Sequence, residues 1–169
     1  MITANRHRWS RFLALPLLAL LLVSSTIATH AFAVDLIEAA RNQDSEAVQS
    51  LLADGSNPNT QQADGATALH WAVYGENSDM AASLIEAGAD VNAVNRLGAS
   101  ALYVAAKSGQ GDLIVQLLTA GADPNLALDM NETPIMTASR SGTVKGVRRL
   151  IDAGADVNTR ESSRNQTAL

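Results

Sequence analysis

The chain has no cysteine among its 169 residues. That excludes disulfides, thiolate metal sites and a thiol nucleophile, so stability has to come from packing alone. Aromatic residues are scarce, at 4%, which excludes a core of large rings and suits thin helices stacked closely. Beyond the first 33 residues histidine occurs once, as His70. With no second His, no Cys and no fixed carboxylate partner, acid–base and metal-ligating roles lack their components. Ser100 and Ser108 have no base, and no glycine-rich phosphate loop occurs. A surplus of positive charge is missing too. Of the 12 Lys and Arg, Arg6, Arg8 and Arg11 lie in residues 1–33, where no acid occurs; residues 34–169 therefore hold 9 basic against 17 acidic side chains, a net of −8. Such a surface repels a phosphate backbone, so nucleic acid is not an expected partner.

Long apolar runs are also few. The one over Phe12–Val23 contains Pro16 and is shorter than the ~20 residues a membrane span needs. A basic stretch up to Arg11 precedes it, and a less apolar region ending in Ala31-Phe32-Ala33 follows. That order is the pattern of a secretory signal peptide, cut between Ala33 and Val34. No twin-Arg pair is present, so the general export route is expected. The style of the leader is bacterial, which makes the expected location periplasmic or secreted, with no membrane attachment after cleavage.

What is present is a repeat. Residues 63–95, 96–128 and 129–161 are three segments of 33 residues. Each opens an apolar run with a hydroxyl residue (Thr67, Ser100, Thr133) and carries Gly-Ala-Asp at 88–90, 121–123 or 154–156, followed two residues later by Asn. Residues 34–62 are a weaker copy: Leu36 aligns with Leu69, Gly55 with Gly88 and Asn59 with Asn92. This copy carries Asp35, Glu38, Arg41, Asp44 and Glu46, the polar exterior of an N-terminal cap.

Local chemistry predicts two helices per repeat. Thr67, Ser100 and Thr133 are placed to cap first helices over about 67–74, 100–107 and 133–140, with Pro134 at a first helical position. Second helices follow over about 77–87, 110–120 and 143–153. Met80, Ala81, Leu84 and Ile85, like Leu113, Ile114, Leu117 and Leu118, form an apolar stripe. Gly88, Gly121 and Gly154 end these helices. The recurrence of Asp90, Asp123 and Asp156 at a fixed spacing points to loop structure, not to paired catalytic carboxylates. Asn131-Glu132-Thr133 and Asn165-Gln166-Thr167 match the short glycosylation pattern.

A fixed 33-residue period with Thr-Ala-Leu-His at 67–70 resembles the ankyrin repeat. The resemblance covers residues 34–169 and implies an all-α solenoid of helix–turn–helix units with β-hairpin-like loops, or fingers, between them. It implies that His70 is a structural hydrogen-bonder to neighbouring loop backbone. It also implies a non-enzymatic protein, with no cofactor or metal, that binds another protein along its concave face. Carried over to this chain, the binding residues are Arg41, Trp71, Tyr74, Tyr103, Lys107 and Arg140 on the first helices, and Arg96, Leu97 and Met130 on the finger tips. Arg41, Tyr74, Lys107 and Arg140 form a cationic ladder with one aromatic rung, although cations also favour a helix C-terminus for local reasons. Exported bacterial ankyrin proteins of similar pattern have arrays that run further. The leading expectation is a scaffold; the alternative is a regulatory or inhibitory subunit of an exported enzyme.

Three departures from the pattern carry expectations of their own. Glu76 stands where Gly109 and Gly142 stand, with Gly75 one residue early, which predicts a turn rearranged by a residue. Gly146 replaces an apolar residue on a second helix, which predicts a missing packing methyl and the weakest full repeat. Residues 162–169 restart the repeat at Thr167-Ala168-Leu169 and stop. The sequence leaves three accounts of that restart: a piece of a longer array, a truncated product, or an open edge that binds something.

Overall fold

The computed structural model describes residues 35–168. The leader and its cleavage point at Ala33–Val34 lie outside the described residues. The described residues form one compact unit, with a continuous core running from Leu36 to Ala168. The helices are α1 (Leu36–Arg41), α2 (Ser45–Ala53), α3 (Ala68–Tyr74), α4 (Ser78–Glu86), α5 (Ala101–Lys107), α6 (Gly111–Thr119), α7 (Pro134–Ser141) and α8 (Val144–Asp152), with one 3-10 turn at Asp129–Asn131. Among the described residues there is no strand, only a single antiparallel bridge between Val94 and Ser100. None of these helices is long and apolar enough to cross a membrane. The expected all-α solenoid is the observed fold.

Helices of six to nine residues are unstable alone; they are held by stacking. The first helices form one row, α1 on α3 on α5 on α7, and the second helices form another. Small side chains let the first row close up: Ala39, Ala72, Ala105 and Ala138, one per repeat, are all 0% exposed. In the second row Leu84, Leu117 and Leu150 fill the equivalent core position at 0% exposure. Each second helix ends as expected, with Gly88, Gly121 and Gly154 at φ of 89°, 92° and 88°, a region where a Cβ would be strained.

The Gly-Ala-Asp…Asn marks have one job in common. Asn59 donates from Nδ2 to the Gly88 carbonyl at 3.0 Å, and its Oδ1 accepts from the Asp90 N–H at 2.6 Å. Asn92 does the same to Gly121 and Asp123 (3.2 and 2.8 Å), and Asn125 to Gly154 and Asp156 (3.1 and 2.8 Å). Each Asp in turn accepts from the N–H of the Asn two residues on, as Asp90 does from Asn92 at 2.9 Å. The carboxylates shape loops, as their periodicity indicated.

Several local expectations are corrected. Thr67, Ser100 and Thr133 all stand at N-cap positions; Ser100 accepts from the Tyr103 N–H at 3.2 Å and Thr67 forms a capping box with His70, but Thr133 makes no side-chain cap bond. The Thr67 hydroxyl also lies 3.0 Å from His70 Nδ1. Thr133 has Met136 at the place of His70, so no ring nitrogen meets its buried hydroxyl, which is left without a partner.

The turn at Gly75-Glu76 is not shifted. Glu76 takes φ +58°, in the same left-handed turn as Gly109 and Gly142 at +70° and +76°. Gly75 answers to a different demand: the side chain of Gln43 crosses there to donate from Nε2 to the carbonyls of Ala40 and Trp71, each at 2.9 Å. A Cβ on Gly75 would stand 2.1 Å from Gln43 Cδ. Nor is a methyl missing at Gly146. A Cβ there would fall 2.6 Å from Ile114 Cδ1, so the neighbouring repeat's isoleucine already fills the space.

Candidate functional site

The face predicted to bind is built from the ends of the first helices and the finger tips. His70 fixes its centre. The ring is 5% exposed. Nδ1 accepts from the Thr67 N–H at 3.2 Å, so Nε2 carries the proton and donates to the Ala99 carbonyl of the next finger at 2.9 Å. Burial lowers its pKa below 6.5, against the opposing pull of the Ala99 carbonyl and Asp64. His70 is thus the structural hydrogen-bonder that the resemblance implied, tying one repeat to the next.

One residue further along α3, Trp71 is half-buried against the core and donates from Nε1 to Gln62 Oε1 at 3.3 Å. Tyr74 meets it edge to face, with ring centroids 5.9 Å apart and planes at 81°. Tyr74 is 69% exposed. The two rings therefore share a face, as their spacing indicated, with Trp71 as anchor and Tyr74 offered to solvent. Such a pair presents rigid apolar area at little cost in rotamer entropy.

The cationic ladder is altered by its neighbours. Arg41, Tyr74 and Lys107 end α1, α3 and α5, and Arg140 stands one residue before the end of α7; all four are exposed. Arg41, however, is paired with Glu38 one turn back, and Arg140 Nη1 lies 2.5 Å from Glu132 Oε1. Lys107 alone among them makes no ion pair with the described residues. The row is one aromatic and one free cation flanked by two neutralised arginines, not a run of free positive charge.

Glu132 is the residue that sequence reasoning missed. It occupies the register of Ala66 and Ala99, and that change from alanine to acid was the available signal. It also accepts from the Thr137 hydroxyl at 3.2 Å. Tyr103, half-buried, lies beside this group; burial and then the Glu132 charge raise its phenol above the usual value of 10, while Thr137 and Arg140 oppose. Tyr103 belongs to this polar cluster, apart from the Trp71–Tyr74 pair.

At the tips, Leu97 and Met130 are 70% and 67% exposed, and Arg96 is exposed beside Leu97. Backbone bonds hold the fingers to one another: the Arg96 N–H donates to the Asp64 carbonyl, and the Ser162 N–H to the Met130 carbonyl, each at 2.8 Å. The face therefore offers exposed apolar and aromatic surface on a rigid frame. The described residues include no cluster of His, Cys, Asp and Glu placed to hold a metal ion.

Comparison with known proteins bears on the whole array. The family model of ankyrin repeats in three copies matches residues 36–127, and that of the single ankyrin repeat matches residues 130–162. No curated protein matches the chain.

Proposed function

The chain belongs to the ankyrin-repeat family, and from that premise we propose that it is an exported scaffold holding another protein against its first-helix row and finger tips. Ankyrin repeats generally mediate association between proteins, and proteins built from them are typically not enzymes. Export rests on the basic, apolar and small-residue order of residues 1–33, with removal after Ala33 leaving a chain that begins at Val34.

The observation that carries the choice of face is Tyr74. A tyrosine 69% exposed, stacked edge-on against a half-buried tryptophan, is large apolar surface that folding does not use. Leu97 and Met130 extend it at the tips, and Lys107 supplies an unpaired cation for an acidic group on the partner. Buried aromatic anchors of this kind dominate binding energy at protein interfaces.

The test is capture from an extract of the exported fraction with residues 34–169 as bait, beside folded Tyr74→Ala and Lys107→Glu variants. The expected result is a partner retained by the wild type and lost to both variants. Its own activity, assayed with and without the bait, separates a scaffold from a regulatory subunit. Retention that ignores both substitutions would move the binding surface elsewhere.

A further inference from the structure

Charge is unevenly placed along the array. Residues 35–90 carry ten acids against one base, Arg41, whereas residues 91–168 carry seven against eight. None of the ten acids is buried. The Trp71–Tyr74 pair lies in this acidic stretch. Asp64 stands on the finger that leads into α3, two residues from Gln62, whose Oε1 accepts from Trp71 Nε1. Its carboxylate accepts from the Ala66 N–H at 2.9 Å, which fixes it in the finger's turn and keeps it ionised. Glu76 stands two residues beyond Tyr74, in the turn after α3, at φ +58°. Both are exposed, and neither makes an ion pair with the described residues. The nearest cation in the stretch, Arg41, is already spent on Glu38.

Uncompensated carboxylates before and after an exposed aromatic ring limit what can cover it. A purely apolar partner would strip water from Asp64 and Glu76 and supply no counter-charge, the unfavourable case for interfacial charge. A cation reverses the sign. The face of a tyrosine ring is negative, so a guanidinium or ammonium laid over it is attracted by the ring and by the carboxylates together. Tyr74, at 69% exposure, has room for one. One repeat on, in the register of Tyr74, Lys107 has no ion pair and calls for the opposite charge. Packed helices lie roughly 8–10 Å apart. In an extended segment, residues two and four apart share a face at about 7 and 13 Å, and a flexible lysine stem spans the difference.

We propose that the partner is held through an extended segment in which an arginine or lysine lies over Tyr74 and an aspartate or glutamate, two or four residues away, meets Lys107. This rests on the binding face proposed above and adds the chemistry of its occupant. The pattern also rejects other segments: one with two cations sets the second against Lys107, and one with two acids sets the second among Asp64 and Glu76. Further along the row Arg140 already has Glu132, so no second acid is required there.

The test is selection of short random peptides displayed on phage against residues 34–169, which contain the whole described core, followed by titration of the enriched peptides against variants shown by circular dichroism to be folded. Enriched peptides should combine Arg or Lys with Asp or Glu two or four residues away. Tyr74→Ala should weaken them by about tenfold or more. Tyr74→Leu, which keeps apolar area and loses the ring, should weaken them by about threefold. Lys107→Glu should shift the selection to peptides with a second cation in place of the acid. Enriched peptides that lack the cation but are lost with Tyr74→Ala overturn the stated chemistry and leave the face standing. Peptides indifferent to Tyr74→Ala overturn the face as well. An unchanged preference in Lys107→Glu overturns the place of the acid. Absence of any enrichment overturns the extended segment, and the capture experiment then decides the scaffold reading separately.

Discussion

Replacing His70 with leucine should destabilise the array and remove one component of its pH dependence. The imidazole joins the Thr67 N–H to the Ala99 carbonyl across a repeat boundary, at 3.2 and 2.9 Å, in a site 5% exposed. Leucine fits the space but bonds to neither group. Leaving a buried polar group unbonded costs about 1–3 kcal/mol. Two are orphaned here, and burying the leucine side chain returns about 1–2 kcal/mol. The net expectation is a loss of about 1–3 kcal/mol, which lowers the urea midpoint by roughly 1 M at ordinary slopes.

The pH dependence follows from the direction of the shift. Burial holds the folded-state pKa of His70 below 6.5, its value in an unfolded chain. Above that value both states are neutral and the stabilisation is complete. As pH falls below it the unfolded chain takes up the proton first, and stability declines by at most about 1.4 kcal/mol per pH unit. Residues 34–169 contain no other histidine. The carboxylates of Asp64, Asp156 and Glu161, held below their ordinary values by hydrogen bonds led by the Ala66 N–H, the Asn158 N–H and the Ser163 hydroxyl respectively, lose their contributions only at lower pH. Urea titrations of wild type and His70→Leu between about pH 7 and pH 5.5 isolate the effect. An equal midpoint for the two proteins at neutral pH, or an equal slope with pH in this window, would refute the reasoning.

Asn125→Ala removes both bonds to Gly154 and Asp156 and should cost about 1–2 kcal/mol, at the low end per bond because the site is exposed; hydrogen exchange should show α8 opening earlier, and unchanged protection there would count against the Asn bonds as the link. Gly75→Ala forces the Gln43 side chain out of its bridge to Trp71 and should lose roughly 1–2 kcal/mol, whereas adding Gln43→Ala makes the same methyl nearly harmless. A double-mutant cycle by urea denaturation measures that coupling, and additive losses would show that the two residues do not meet.

The repeat itself was legible because it is local chemistry written three times in full and once in weaker form. A hydroxyl before an apolar run, an apolar stripe at helical spacing and a glycine at the close each specify an element without help from elsewhere. The helices accordingly start and stop within about a residue of expectation. The candidate face was legible in part for the same reason: Tyr74 and Trp71, three apart on one short helix, had to share a side.

The departures were not legible, since each depends on an atom that only the fold brings alongside. Gly146 reads as a lost methyl until Ile114 is seen to occupy the place. Gly75 reads as a misplaced turn residue until Gln43 crosses it. Arg140 reads as a free cation until Glu132, eight residues away on the preceding finger, reaches it. By itself the sequence determined the repeat length, the helix ends and the stacking, because propensity, capping and periodicity act within a few residues. Which side chains are spent on their neighbours and which, like Tyr74 and Lys107, remain to be used was decided only by tertiary structure, because burial and pairing are properties of the assembled stack.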